Sequence, residues 1–184
     1  PTPTYSLTSG SDLPPGMSLS NNGTISGTPT VAGTYTFAVR AYNFVNSITT
    51  SSYTYTVLPA PVFTSDSDYT TTSTFGALLN LHPTTTGSSV VYSLYSDSLP
   101  SGVTLDSATG LVSGRSASSG VFTYRVKVTN NSGSDISRTS TITIRQAPTF
   151  TSSAISTTLN KGTAYAYHFN ASGYPVPTYS VVSG

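Results

Sequence analysis

The stretch NGTISGTPTVAGTYTFAVRAYN, residues 22–43, recurs as TGLVSGRSASSGVFTYRVKVTN at residues 109–130. Every position from Gly23 to Asn43 aligns with its counterpart from Gly110 to Asn130 without a gap, although fewer than half of the residues are identical. A fixed step of this kind marks an internal repeat, and the phase of a repeat decides where its domains begin. Two further pairs set the phase. APVFTSDSD at 60–68 returns 87 residues later as APTFTSSAI at 147–155, and PTYSLTSG at 3–10 returns two steps on as PTYSVVSG at 177–184.

On this phase residues 60–146 form one whole unit. Residues 1–59 read as the later part of a unit without its first two strands, and residues 147–184 supply those two strands and the start of a third. The two ends are complementary, so the tail of one chain and the head of the next would together make a complete domain. Two periods cut from a longer tandem protein would give the same pattern, and both origins stay open at this point.

Inside the unit the pattern is all β. In GTYTFAVRAYN the residues Tyr35, Phe37, Val39 and Ala41 alternate with Thr34, Thr36, Ala38 and Arg40, the period of a half-buried strand. Phe122, Tyr124, Val126 and Val128 repeat the inward set. YTYTVLP does the same with Tyr53, Tyr55 and Val57, of which the last two match Ile142 and Ile144. Gly, Pro, Asn and Asp clusters such as DLPPG, SNNG and DSATG separate the runs and supply turn chemistry. Seven short strands per unit predict a two-sheet Ig-like sandwich. They fall near 61–67, 76–84, 89–96, 102–106, 110–114, 120–130 and 136–146. The junctions TVLPAPVF and TIRQAPTF leave about two residues between last and first strands, one of them Pro, whose fixed φ stiffens the link. The expected product is a rod that advances roughly 35–45 Å per unit, from strands rising about 3.3 Å per residue.

Composition narrows the function classes. Only 7% of the residues are charged, Glu is absent, and Ser and Thr make up about a third of the chain. A net charge of +1 without a basic cluster gives no electrostatic footprint for nucleic acid. A disordered Ser/Thr-rich stalk would share this composition, but the alternating Tyr, Phe, Val, Leu and Ile can bury one face, which leaves Thr on the solvent side of strands. Without Cys there is neither a disulfide nor a thiolate metal site. No stretch approaches the roughly 20 apolar residues of a membrane span, and neither a signal peptide nor an initiator Met is present, as in a processed product or a fragment.

The run LPPGMSLSNNGTISGTPTVAGTYTFAVRAYN resembles the Ig-like (He_PIG) repeat of bacterial and archaeal surface proteins. The residues that carry the resemblance are Leu13, Pro14, Gly16, Leu19, Gly23, Ile25, Ser26, Gly27, Pro29, Gly33, Tyr35, Phe37, Val39, Ala41 and Asn43. The second copy is looser, with Arg115 and Ser116 in place of Thr28 and Pro29, and ASGYPVPTYS at 171–180 also fits the pattern. The resemblance implies an extracellular, tandemly repeated, non-enzymatic module of adhesins, surface layers and stalks. The expected role is structural, in a cell-surface filament, stalk or surface layer, with copies of the same chain or further Ig-like repeats as partners. An adhesin module that binds glycans or a surface is the alternative.

Individual residues add few candidates. Asp66 and Asp68 offer two oxygens to Ca²⁺, but the next repeat has Ser153 and Ile155 there, and six to eight oxygens are needed. His82 and His168 occupy the same position of the second strand in separate units, each one step beyond an apolar set, which predicts outward-facing side chains rather than a shared metal site. No Cys, no Glu, six Asp and two His leave little from which to build a general acid and base, so no catalytic, cofactor or metal residues are assigned. Asn22, Asn130 and Asn170 each open an Asn-x-Ser/Thr acceptor for N-glycans. Tyr42, Tyr95 and Tyr174 are candidates for stacking on sugars, although Tyr is also an ordinary strand residue.

Overall fold

The computed structural model describes residues 2–64 and 70–182, which form strands and no helix. They divide into two compact units. The first comprises Pro1–Pro61 with Gly87–Ser89 and Asn130–Gly133, and the second comprises Val62–Thr86, Val90–Thr129 and Ser134–Gly184.

The first unit holds β1 (Thr4–Leu7), β2 (Met17–Leu19), β3 (Ile25–Gly27), β4 (Gly33–Phe37), β5 (Val39–Tyr42), β6 (Ser47–Thr49) and β7 (Tyr53–Val57). They form one sheet in the order β1-β5-β6 and two antiparallel pairs, β2-β3 and β4-β7. Tyr35, Phe37, Val39 and Ala41 are buried or half-buried while Thr34, Thr36 and Arg40 are exposed, as their alternation predicts. Ala38 departs from it and is buried at the break between β4 and β5. Tyr53 and Tyr55, expected to point inward, are exposed.

The second unit holds β8 (Thr70–Thr74), β9 (Leu78–Leu81), β10 (Val91–Asp97), β11 (Val103–Leu105), β12 (Val112–Arg115), β13 (Gly120–Asn130), β14 (Gly133–Ile136), β15 (Ser140–Phe150) and β16 (Ala171–Tyr174), except that the end residues Asn130 of β13 and Gly133 of β14 belong to the first. One sheet runs β10-β13-β15-β16, with β14 also on β13 and β8 also on β15; the other runs β11-β12-β9. The core lies between them. Leu79, Val103 and Val112 come from the smaller sheet, and Tyr92, Tyr124, Val126, Val128, Ile142 and Ile144 from the larger. Val112, Val128, Ile142 and Ile144 are completely buried, and each such side chain contributes about 1.5–3 kcal/mol of transfer free energy.

The strand list differs from the sequence expectation in three places. Of the strand expected near 61–67, residues 65–67 lie outside the described residues and 61–64 give only a bridge between Phe63 and Thr85; a strand not expected from the sequence, β8, runs parallel to β15 from Thr141↔Thr70 to Arg145↔Thr74. TTTST has no apolar alternation to announce a strand, and the β15 ladder supplies the order. The short β14 is also additional, so residues 60–146 carry eight strands among the described residues instead of seven. Finally, β15 continues unbroken through the expected link at Ala147 and Pro148. Its pairing with β16 slips one residue between Gln146 and Thr149, and that irregularity accommodates a proline, which has no N–H for a ladder.

A hydroxyl stands in for a main-chain group where β14 gives way to β15. The Val126 N–H donates to Ser137 Oγ at 2.9 Å, and the Ser137 N–H donates to Val126 O at 2.8 Å. The first unit repeats the device: the Val39 N–H donates to Thr50 Oγ1 at 3.0 Å and the Thr50 N–H to Val39 O at 2.9 Å. Ser137→Ala would strand a buried donor, a loss of about 1–3 kcal/mol. Chemical unfolding should show that loss, and Ser137→Thr should recover most of it.

Turns depend on the acidic and hydroxyl residues at their first position. Asp106 Oδ1 accepts from the N–H of Thr109 at 2.8 Å, from its hydroxyl at 2.8 Å and from the N–H of Ala108 at 3.0 Å. The Thr109 N–H foremost, then its hydroxyl and the Ala108 N–H, hold the carboxyl below its ordinary value of 3.8. A depressed folded value means that the stabilisation is complete above the unfolded value and is lost as pH falls through the folded one. The melting temperature should therefore fall as pH drops below 3.8, and Asp106→Asn should flatten that acid dependence.

Candidate functional site: open strand edges

The second unit shows what a complete repeat requires. There β15 takes β8 as a parallel neighbour, and β12 takes β9 antiparallel in the register Val112↔Leu81, Ser113↔Asn80, Gly114↔Leu79 and Arg115↔Leu78. By the repeat, β7 of the first unit corresponds to β15 and β3 corresponds to β12. Among the described residues β7 pairs with β4 alone and β3 with β2 alone. The consequence appears in burial. Tyr55 is 38% exposed where its counterpart Ile142 is 0% exposed, and Ile25 and Val57 are half-buried where Val112 and Ile144 are fully enclosed.

Residues 156–168 carry the sequence counterpart of β8 and β9 without forming strands. They keep the turn between the two: Gly162 has φ 80° with the Thr163 N–H bonded to Asn160 O at 3.2 Å, as Gly76 has φ 74° with the Ala77 N–H bonded to Thr74 O at 3.0 Å. Leu159 is 59% and Tyr165 48% exposed. β8 and β9 owe their extended form to the β15 and β12 ladders. No such ladder accompanies residues 156–168 among the described residues. An open edge of unpaired N–H and C=O groups is a template for another strand, and among the described residues both β3 and β7 present one.

The other sequence candidates do not converge. His82 and His168 are both exposed, and among the described residues no group of three His, Cys, Asp or Glu is placed to hold a metal ion. Asp66 and Asp68 lie outside the described residues. Tyr42, in the first unit, lines an open groove of about 460 Å³ with Tyr5, Val45 and Ile48. Tyr95, on β10, has the Arg125 guanidinium over its ring at 5.2 Å. Tyr174, half-buried on β16, is separated from β10 by β13 and β15.

The three acceptor asparagines differ in their freedom. Asn130 Nδ2 donates to Pro59 O at 2.9 Å, while its Oδ1 accepts from the N–H groups of Ser132 and Gly133 at 2.8 and 3.2 Å. Asn22 is exposed on a turn, where its Oδ1 accepts from the Thr24 N–H at 3.2 Å and from the Ser20 hydroxyl. Asn170 is exposed and engaged through its main-chain O, which accepts from the Thr151 N–H at 2.8 Å.

Two facing sheets, a repeat of fixed length and glycine-tight turns define a tandem Ig-like β-sandwich protein. The chain belongs to the He_PIG family, described as "Putative Ig domain", which matches residues 1–58 and 60–145. Among solved structures it is similar to an I-band fragment of titin, at 17% identity and a TM-score of 0.54 over 82% of this chain and 57% of that one. It is also similar to extracellular domains 3–5 of Drosophila OTK, at 13% identity and a TM-score of 0.44 over 77% and 51% of the two chains. A third is an endo-fucoidan hydrolase of glycoside hydrolase family 107, at 19% identity and a TM-score of 0.38 over 79% and 24%. The chain thus spans less than two thirds of each of these proteins, and the titin likeness is one of fold alone. No curated protein matches it. Among the described residues no helix is long and apolar enough to cross a membrane.

Proposed function

We propose that the chain is a structural component of an extracellular cell-surface filament, stalk or surface layer, in which Ig-like units join head to tail by strand donation. The observation that carries this reading is the match between the two open edges of the first unit and a segment, 156–168, that holds the sequence to fill them but no strand of its own. Pairing an open edge satisfies main-chain groups and removes a site of uncontrolled aggregation. Scarce charge and few acid and base groups suit an inert scaffold. Denaturing mass measurement of material stripped from its native surface tests the reading. A mass near 19.1 kDa supports separate subunits, whereas a much larger covalent chain removes donation between them.

In such an exported scaffold Asn22 and Asn170 are the N-glycan positions, and Asn130 is disfavoured because its Nδ2 is already bonded to Pro59 O. Peptide mass spectrometry of protein made in a glycosylating host should find modified Asn22 or Asn170 and unmodified Asn130. The groove beside Tyr42 favours a second reading, an adhesin module that stacks sugar rings. A glycan array with no bound sugar would retire it.

A further inference from the structure

We propose that the parallel ladder between β8 and β15 is a mechanical clamp, through which the second unit carries tension along the chain. The clamp adds a mechanical function to the structural role above and is independent of strand donation, because the ladder closes within one chain. β8 and β15 are the first and last strands of the 60–146 repeat, and the chain continues on both sides of it, through residues 1–59 and 147–184. A pull on the chain therefore enters β8 at Thr70 and leaves along β15, which runs unbroken to Phe150.

The direction of the two strands decides what that pull does. Thr70 faces Thr141 and Thr74 faces Arg145, so the loaded end of β8 and the loaded end of β15 lie at opposite ends of the ladder. The strands are drawn past one another, and the five facing pairs share the load. An antiparallel pair loaded in the same way would have both loaded ends together and would open one bond at a time. The far end of β8 is pinned as well: the Phe75 N–H donates to Arg145 O at 2.8 Å, the Gly76 N–H to Ser116 O at 3.0 Å, and Arg115 Nη1 to Gly76 O at 2.8 Å. Ahead of β8 the incoming chain has a first hold, where the Thr64 N–H donates to Thr84 O at 2.9 Å and the Phe63 N–H to Asp135 Oδ2 at 2.9 Å. TTTST has no apolar side chain and supplies none of the core residues. Its contribution is the main-chain ladder, so resistance to tension and packing of the core reside in different residues.

Single-molecule stretching tests the clamp by pulling one protein in two directions. The chain has no cysteine, so the exposed Ala60, Thr139 and Ala154 can be changed to Cys in pairs to attach handles. Ala60→Cys with Ala154→Cys loads β8 and β15 from opposite ends. Ala60→Cys with Thr139→Cys loads both strands from their N-terminal ends, beside the Thr70 and Thr141 pair, and peels the ladder apart. The first pair of handles should need at least about twice the force of the second at one pulling speed, since forced unfolding is governed by the barrier crossed. Equal forces, or no unfolding event with the first handles, overturn the clamp and leave the filament reading standing. A variant series locates the resistance. The Phe75 N–H faces β15, and the period of a strand turns the Ser73 N–H the same way and the Thr72 N–H outward. With the first handles, Ser73→Pro should lower the force at least about twofold, and Thr72→Pro should leave it unchanged. Leu79→Ala, in the buried core, should lower the melting temperature more than Ser73→Pro and the force less. A larger loss of force in Leu79→Ala than in Ser73→Pro would assign the resistance to the core and overturn the proposal. The two pulling directions act on the unaltered ladder, so their comparison decides the matter even where the proline variant does not fold.

Discussion

Gly114→Ala is expected to unfold the second unit or bring it close to unfolding. Gly114 lies at φ 138°, and a Cβ there would stand 2.2 Å from Gly102 O and 2.9 Å from the Val103 Cα, atoms of a backbone that cannot swing aside. The crossing is mutual, because a Cβ on Gly102 would meet Arg115 O at 2.3 Å. Backbone strain of about 1–3 kcal/mol then adds to an overpacking cost of about 1–3 kcal/mol, against a domain stability of roughly 5–15 kcal/mol. Gly76→Ala is the control: φ is 74° but nothing lies within 4 Å of the added atom, so strain alone should appear. Thermal unfolding followed by circular dichroism separates the two, and equal losses would mean that the crossing does not confine the chain. The first unit repeats the contact at Gly16 and Gly27, with the Gly27 Cβ placed 2.1 Å from Gly16 O. The Gly that follows Leu-Pro and the Ser-Gly further on are therefore one structural element, two strands passing without room for a side chain.

The second large effect belongs to Ile142→Ala. Ile142 is wholly enclosed between the sheets, and truncation leaves a cavity that costs about 2–5 kcal/mol, at roughly 4–8 °C of melting temperature per kcal/mol for a unit of this size. Its counterpart Tyr55 lies at the open edge, with its ring 4.9 Å from that of Phe37. Tyr55→Ala should cost about 0.5–1.5 kcal/mol in the separate chain, mainly that ring contact. In an assembled state the two substitutions should become more alike, as an added strand closes over Tyr55. A Tyr55→Ala loss as large as that of Ile142→Ala in dilute monomer would mean that the edge is already covered.

How far the sequence anticipates these features depends on the kind of signal each carries. β13 is legible because Tyr124, Val126 and Val128 alternate with Thr123, Arg125 and Lys127 and are buried as that alternation predicts. β8 is not, because Thr70–Thr74 has no apolar residue and becomes a strand through its ladder with β15. The same dependence on a partner explains residues 156–168, whose pattern matches a strand pair that does not form in their present surroundings. Tyr53 and Tyr55 show the converse: the alternation is present, but the facing strands that would bury them are not among the described residues. The hydroxyl exchange at Ser137 and Thr50 was hidden because Ser and Thr are abundant everywhere in the chain. Only their equal 87-residue spacing, joined to the Val126 and Val39 N–H bonds, singles them out.

Electron microscopy of the purified 184-residue protein across a concentration series tests end-to-end assembly most directly. The predicted result is linear fibres that lengthen with concentration and carry an axial period of roughly 35–45 Å per repeat, set by strand length. Dispersed single particles at every concentration would contradict it.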